Sequence, residues 1–117
     1  MKSLDDISSE IRKILKTKWS IREGTVIPST DTVKLDNDAV ELDATILYAD
    51  LKQSTNMVKN YKNWFAAEMY KCYLLACCEL IKNNDGVITS FDGDRVMGIY
   101  IGDAKNSNAA KTALQIN

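Results

Sequence analysis

Hydrophobic positions at the start of the chain indicate one amphipathic helix followed by an extended connector. Apolar residues recur at helical spacing from Leu4 to Leu15, and Ser3 can cap the first turn. This pattern predicts a helix over about residues 4–17. Residues 18–40 contain the only proline, a glycine and many small polar residues. That composition is typical of an extended connector with one short strand.

The pattern is sharper from residue 41 onward, where it predicts a strand, a long helix, a hairpin and a second helix. The stretch "VELDATILYAD" alternates and then becomes continuously apolar, which predicts a buried strand over 41–49. A helical stripe of apolar residues then runs to about Asn83. "VITSF" and "RVMGIYI" are two β-type runs separated by Asp-Gly-Asp, a strong hairpin signal. Residues 104–116 have the pattern of a further helix.

This order of elements defines a fold class. Strand, helix, hairpin and helix form the opening βαββα of the ferredoxin-like β-α-β-β-α-β unit. We therefore expect an α+β fold: a ferredoxin-like antiparallel sheet with helices on one face, preceded by a short N-terminal helix. The expected organisation is a helix and connector over 1–40 and one domain over 41–117, with the final strand of the unit absent.

Composition narrows the classes of function. The chain has 117 residues, of which 45% are hydrophobic, and a formal net charge of −1. This balance suits a globular domain with a real core, and it lacks the basic surface of a general nucleic-acid binder. The apolar stretches are too short to span a bilayer, and the N-terminus has no signal-peptide core. We therefore expect a cytoplasmic chain that binds no nucleic acid and does not insert into a membrane.

The chain contains no histidine. This excludes Ser-His and Cys-His nucleophile pairs and an imidazole general base. It also removes the commonest zinc ligand, which leaves oxygen-only metal sites as the natural option. Oxygen ligands select hard ions such as Mg²⁺ or Mn²⁺.

Two acidic residues lie at the ends of predicted strands. Asp50 ends the first strand, and Asp94 lies in the hairpin. If that strand lies beside the hairpin, both carboxylates converge and repel each other unless they share cations. A two-metal phosphoryl-transfer site, with ions roughly 3.5–4 Å apart, resolves this repulsion. Asp92 competes with Asp94 for the ligand role on spacing alone, and each acid taken separately can be a helix cap or a turn residue.

These stretches resemble a known family. "TILYADLKQST", the long helix, "DGVITSFDGDRVMGIY" and the alanine-rich last helix together resemble the class III nucleotidyl cyclase catalytic domain. The match covers about residues 41–117. It implies a reaction in which the ribose 3′-hydroxyl of a nucleoside triphosphate attacks the α-phosphorus, giving a 3′,5′-cyclic nucleotide and pyrophosphate. A metal ion that lowers the pKa of the hydroxyl makes a protein base unnecessary, which agrees with the absence of histidine.

The resemblance also assigns site residues. Asp50 and Asp94 match the family's two metal-binding aspartates. Leu51 matches the position whose backbone carbonyl completes one metal shell. The implied cofactors are two Mg²⁺ or Mn²⁺ ions. Backbone amides of one short segment would hold the β- and γ-phosphates: Lys52, Gln53, Ser54 and Thr55.

The base-reading position departs from the family pattern. Four residues before the second metal aspartate, adenylate cyclases often carry Lys and guanylate cyclases Glu, whereas this chain has Ser90. This position therefore has neither the residue that usually indicates a preference for ATP nor the one that usually indicates a preference for GTP. The "ATILYADL" motif and the short N-terminal extension are most similar to the bacterial pyrimidine cyclases of Pycsar antiphage systems, which make cyclic UMP or cyclic CMP. The resemblance implies UTP or CTP as substrate, with Tyr48 as a candidate pocket residue.

The family acts as a head-to-tail homodimer. The aspartates come from one subunit, and an Asn and an Arg on a later helix of the other subunit stabilise the transition state. This chain ends before that segment, so we expect an N-terminal portion of a homodimeric enzyme that is inactive as a fragment. Two alternatives stay open: a degenerate cyclase-like module that binds nucleotide or a partner without turnover, and a structural interaction domain whose acids are only caps.

Overall fold

The computed structural model describes residues 1–52 and 54–117 and divides the chain into two compact units. The first unit is Met1–Leu42, and the second is Asp43–Asn117. The polar, extended connector therefore belongs to the first unit, and the elements that resemble a cyclase domain belong to the second.

The first unit contains one helix and a small parallel sheet. Helix α1, Leu4–Lys16, begins with a capping box in which Ser3 and Asp6 exchange side chain to backbone hydrogen bonds. Strands β1, Ser20–Glu23, and β2, Asp38–Glu41, pair in parallel. The connector thus has two strands, not the single one predicted. Because β1 is exposed along all four of its residues, it carries no hydrophobic alternation that would mark it as a strand.

The second unit is a three-stranded antiparallel sheet with helices packed on one face. Its elements are β3 (Ala44–Asp50), α2 (Ser54–Asn60), α3 (Asn63–Asn83), β4 (Val87–Asp92), β5 (Arg95–Ile101) and α4 (Lys105–Ile116). The strand order is β3-β5-β4, and β5 pairs with both neighbours along its length. Helices α3 and α4 pack against each other and against this sheet. The α+β, ferredoxin-like prediction is confirmed.

The long helix predicted after β3 is in fact two helices, α2 and α3. The break lies at Tyr61 and Lys62, where the Lys62 backbone is extended and the Tyr61 N–H closes the last turn of α2 on Met57. The rings of Tyr61 and Phe65 pack across the break, with centroids 5.2 Å apart. Neither glycine nor proline occurs there, so the sequence carries no breaker signal. No helix in the described part of the chain is long and apolar enough to cross a membrane.

The core lies between the sheet and the two long helices. Ile81 of α3 is fully buried, and a β-carbon added at Gly98 of β5 would come within 2.9 Å of its side chain. The Tyr100 hydroxyl donates to Thr112 of α4, and both of these residues are buried. This packing fixes the helices on one face and leaves the end of the sheet that carries the acids open. The buried apolar cluster consists of Ala49, Cys77, Ile81, Val96, Tyr100 and Ala109.

Candidate metal and nucleotide site

Strand pairing places the two candidate metal ligands side by side. Asp50 is the last residue of β3 and pairs with Arg95, the first residue of β5. Asp94 directly precedes Arg95 in the turn that joins β4 to β5. Gly93 in this turn has φ of 61°, a left-handed conformation that glycine adopts without strain. The turn therefore projects Asp94 at the edge where β3 ends.

The carboxyl groups of Asp50 and Asp94 are neighbours, and Ser54 lines the same cavity. The nearby Ser54 side chain is the largest cause that lowers the pKa of Asp94, and the Asp50 side chain acts in the same direction. Asp50 is exposed and Asp94 is partly buried, and both line an open cavity that a ligand can enter. The structure thus brings together two carboxylates that lie far apart in sequence.

An open cavity of about 690 Å³ surrounds these carboxylates. It contains three of the four residues predicted to hold phosphates, and the fourth, Gln53, lies outside the described residues. The predicted carbonyl ligand, Leu51, also lines the cavity. Its lining residues are Asp50, Leu51, Lys52, Ser54, Thr55, Asp92, Gly93, Asp94 and Arg95.

Asp92, the alternative to Asp94 as the second metal ligand, forms an ion pair with Arg95. The two side chains form an ion pair across the hairpin end, in which the Asp92 side chain is 75% exposed. The Arg95 guanidinium also lies 5.9 Å from the centre of the Tyr48 ring, within cation–π range. Sequence reasoning missed Arg95, although its strand position opposite Asp50 could have indicated it, since directly paired residues share one face of a sheet.

Tyr48 and Ser90, the two candidate contacts for the nucleotide base, lie two residues before Asp50 and Asp92 along their strands. Tyr48 and Ser90 both pair with Met97, on opposite sides of β5. Their strand alternation puts them on the same face as Asp50 and Asp92. Neither residue is among the described residues that line the 690 Å³ cavity, so they flank it along the sheet.

Two tyrosines of α3 also approach the site, and no sequence signal distinguishes them from the other residues of the apolar stripe. The Tyr70 hydroxyl donates to the Ser54 carbonyl at 3.3 Å. Tyr73 lines a groove together with Asp50 and Leu51. Burial raises the pKa of Tyr73, with its Cys77 contact and the nearby Asp50 and Asp94 charges acting in the same direction. Tyr73 therefore stays neutral beside the acids.

The donor set fits a hard divalent cation. The carboxylates of Asp50 and Asp94 line one cavity together with Leu51, and oxygen atoms are the ligands that Mg²⁺ and Mn²⁺ prefer. Within residues 1–52 and 54–117, no three His, Cys, Asp or Glu side chains form a group that could hold a metal by themselves. Two carboxylates with substrate phosphates are the usual arrangement for Mg²⁺, which seldom occupies an all-protein cage.

Removing the Ser54 hydroxyl is expected to raise the pKa of Asp94 toward its ordinary value. The Ser54 side chain favours the ionised form of Asp94, so the folded state gains stability that is present above the unfolded pKa and is lost as the pH falls through the lowered pKa. In Ser54→Ala this contribution to stability shrinks, because the pKa of Asp94 in the folded state approaches the unfolded value. A carbon-13 NMR titration of the Asp94 carboxyl measures the change, with Thr55→Ala as the matched control. An unchanged Asp94 titration in Ser54→Ala would contradict the prediction.

Solved structures with a similar fold are nucleotide cyclases. A bacterial light-regulated adenylyl cyclase matches with a TM-score of 0.60 and 21% identity, over 64% of this chain and 22% of its own. The guanylate cyclase domain of RhGC from Catenaria anguillulae, in complex with GTP, matches with a TM-score of 0.57 and 16% identity, over 62% of this chain and 42% of its own. At these identities the likeness shows the fold alone: the matched part of this chain has the same fold as the matched part of these cyclases.

Curated relatives refine the likeness. Uridylate cyclases from Xanthomonas perforans and Rhodovulum sp. (strain MB263) are 45% and 46% identical over 96% of this chain, which covers 49% and 47% of their lengths. A uridylate cyclase from Burkholderia cepacia is 41% identical over 97% of this chain and 50% of its own. The chain therefore spans about half the length of the curated relatives it matches. No protein-family model matches it. The resemblance to nucleotidyl cyclases is confirmed.

Proposed function

We propose that the chain is part of a nucleotidyl cyclase that converts UTP to cyclic UMP and pyrophosphate, with CTP as the alternative substrate. The observation that carries the proposal is the meeting of Asp50 and Asp94 at the open end of the sheet, beside Ser54. It is supported by relatives named uridylate cyclase at 41–46% identity. The reaction forms a bond from the ribose O3′ to the α-phosphorus and breaks the bond from that phosphorus to the pyrophosphate oxygen.

Asp50 and Asp94, with the Leu51 carbonyl, hold two Mg²⁺ or Mn²⁺ ions in this proposal. When bound, the ions make the 3′-hydroxyl acidic and neutralise charge on the pyrophosphate. The amides of Lys52, Gln53, Ser54 and Thr55 position the β- and γ-phosphates.

In this proposal the nucleotide base lies against Tyr48 and Ser90, which pair with Met97 from opposite sides of β5. Serine presents a small neutral hydroxyl there, and the exposed Tyr48 ring offers a flat surface on which a pyrimidine can stack. Arg95, held close to that ring, adds positive charge on the side of the triphosphate.

A second copy of the protein supplies the groups that stabilise the charge on the α-phosphate, so the working form is a homodimer. The cyclic nucleotide then serves as a second messenger in defence against phage. The rival interpretation is a cyclase-like module that binds nucleotide without turnover. The cyclase and the binding module differ only in whether a product forms, because both need Asp50 and Asp94 to bind the metal-nucleotide complex.

The test is to give the gene product that contains this chain each of the four ribonucleoside triphosphates with Mn²⁺ and to identify the products by mass spectrometry. We expect cyclic UMP as the main product, with cyclic CMP next. Cyclic AMP as the main product would overturn the pyrimidine assignment. Metal-dependent binding of UTP without any cyclic product would favour the binding module. The Asp50→Asn variant is the control for contaminating cyclase.

A further inference from the structure

Helix α1 carries an apolar stripe that stays exposed in the described part of the chain. Its four aliphatic residues follow one another at steps of three, four and three positions, and they are 42–83% exposed. Contiguous exposed apolar side chains of this kind mark interaction sites, because their contact with water is unfavourable. The stripe consists of Leu4, Ile7, Ile11 and Ile14.

The helix is fixed at both ends without using this stripe. Its first turn is closed by the capping box of Ser3 and Asp6. At the other end, the Asn37 side chain donates to the backbone carbonyls of Ile14 at 2.9 Å and Thr17 at 2.7 Å. Polar contacts therefore hold α1 in place, and its apolar side chains remain available to a partner.

The spacing of the stripe fits a pair of helices packed side by side. Residues at alternating steps of three and four positions lie on one narrow line, which is the seam of such a pair. In an antiparallel pair of two copies, Leu4 of each copy meets Ile14 of the other, and Ile7 meets Ile11. Every residue of the stripe then has an apolar partner.

Charge determines both the orientation of the pair and its occupant. The first turn of α1 contains Asp5 and Asp6, and its last turn contains Lys13 and Lys16. Two antiparallel copies place the acidic end of each helix beside the basic end of the other, and the opposed helix dipoles add to this attraction. Parallel copies would bring like charges together at both ends. The helix is thus complementary to a second copy of itself.

Two further charges agree with this arrangement. Glu10 lies beside the seam near the middle of the helix, where pairing brings it toward its counterpart in the second copy. Lys2 forms an ion pair with Glu10 at 2.6 Å, which offsets that repulsion. The acids of the first turn also disfavour an anionic lipid surface as the occupant, since helices that lie on such surfaces have a basic polar face.

We propose that α1 pairs with α1 of a second copy of this chain, in antiparallel orientation, through the apolar stripe. The helix has 13 residues, a length that is marginal for an isolated helix in water. The capping box and the Asn37 bonds therefore prepare it for pairing. The inference concerns α1 alone and does not require the proposed enzymatic activity.

Disulfide cross-linking of the gene product that contains this chain tests the pairing. Leu4→Cys/Ile14→Cys is made in a Cys72→Ser background, which removes the exposed cysteine of the described chain. The two positions lie about 15 Å apart along the helix, too far for a disulfide within one molecule. Under mild oxidation we expect a covalent dimer in which mass spectrometry of the tryptic peptides finds position 4 joined to position 14.

Three control variants show whether the stripe brings the helices together. Ser9→Cys in the same background lies on the side of α1 opposite the stripe, so we expect about tenfold less covalent dimer. Adding Ile7→Asp to the double-cysteine variant is expected to reduce the link about tenfold, because a charge then lies in the apolar seam. Ser9→Asp, the matched charge control, is expected to leave the link unchanged.

The pattern of links decides the outcome. Links that join position 4 to position 4 and position 14 to position 14 would mean parallel helices and would contradict the inference. The absence of any link would also overturn it, as expected if another part of the polypeptide or a lipid surface covers the stripe. A link between positions 4 and 14 that persists with Ile7→Asp would show that the stripe does not form the contact.

Discussion

Asp94→Asn is expected to abolish the Mn²⁺-dependent stabilisation of the protein by UTP. At 100 times its Kd, a ligand that binds only the folded state adds about 2.7 kcal/mol to the free energy of unfolding. The variant should lose nearly all of this gain, because asparagine keeps the size of the side chain and removes the charge that binds the cation. Asp50→Asn should behave in the same way. Thermal melting with and without Mn²⁺ and UTP measures the effect.

Asp92→Asn discriminates between the two acids of the hairpin. Its carboxylate is paired with Arg95, so we expect this variant to keep most of the metal-dependent shift. Asp103→Asn, an exposed acid beyond the end of β5, is the control for loss of one negative charge. If Asp92→Asn lost the shift and Asp94→Asn kept it, the assignment of the second ligand would be wrong.

Ile81→Ala is expected to destabilise the protein by about 2–5 kcal/mol. The Ile81 side chain is completely buried, and the close approach of β5 at Gly98 shows how little space surrounds it. The shortened side chain leaves a cavity between α3 and the sheet that the chain can fill only in part. Denaturant unfolding measures the change in the free energy of unfolding.

Leu75→Ala on the same helix is the matched control. The Leu75 side chain is 65% exposed, so its truncation should change stability by no more than about 0.5 kcal/mol. Equal effects in the two variants would mean that α3 does not pack through Ile81.

The βαββα order and the position of the acids could be predicted because local signals agree with the fold. The apolar run that ends in Asp50 and the Asp-Gly turn before Asp94 each define the end of a strand. Once β3 pairs with β5, antiparallel register brings these ends together. That the two carboxylates meet was therefore accessible from sequence.

The remaining features depend on packing that no local pattern encodes. The break between α2 and α3 occurs without glycine or proline and leaves Tyr61 against Phe65. The bond from Tyr70 to Ser54 depends on how α2 lies beside α3 after that break. For the same reason spacing alone could not distinguish Asp92 from Asp94, since only the folded hairpin pairs Asp92 with Arg95.

Anomalous X-ray scattering from crystals of the gene product grown with Mn²⁺ and a non-hydrolysable UTP analogue tests the central claim most directly. The account predicts Mn²⁺ within about 2.0–2.6 Å of carboxylate oxygens from both Asp50 and Asp94, with the triphosphate on the other side of the metal. Mn²⁺ bound elsewhere, or held by one of these carboxylates while the other points away, would contradict it.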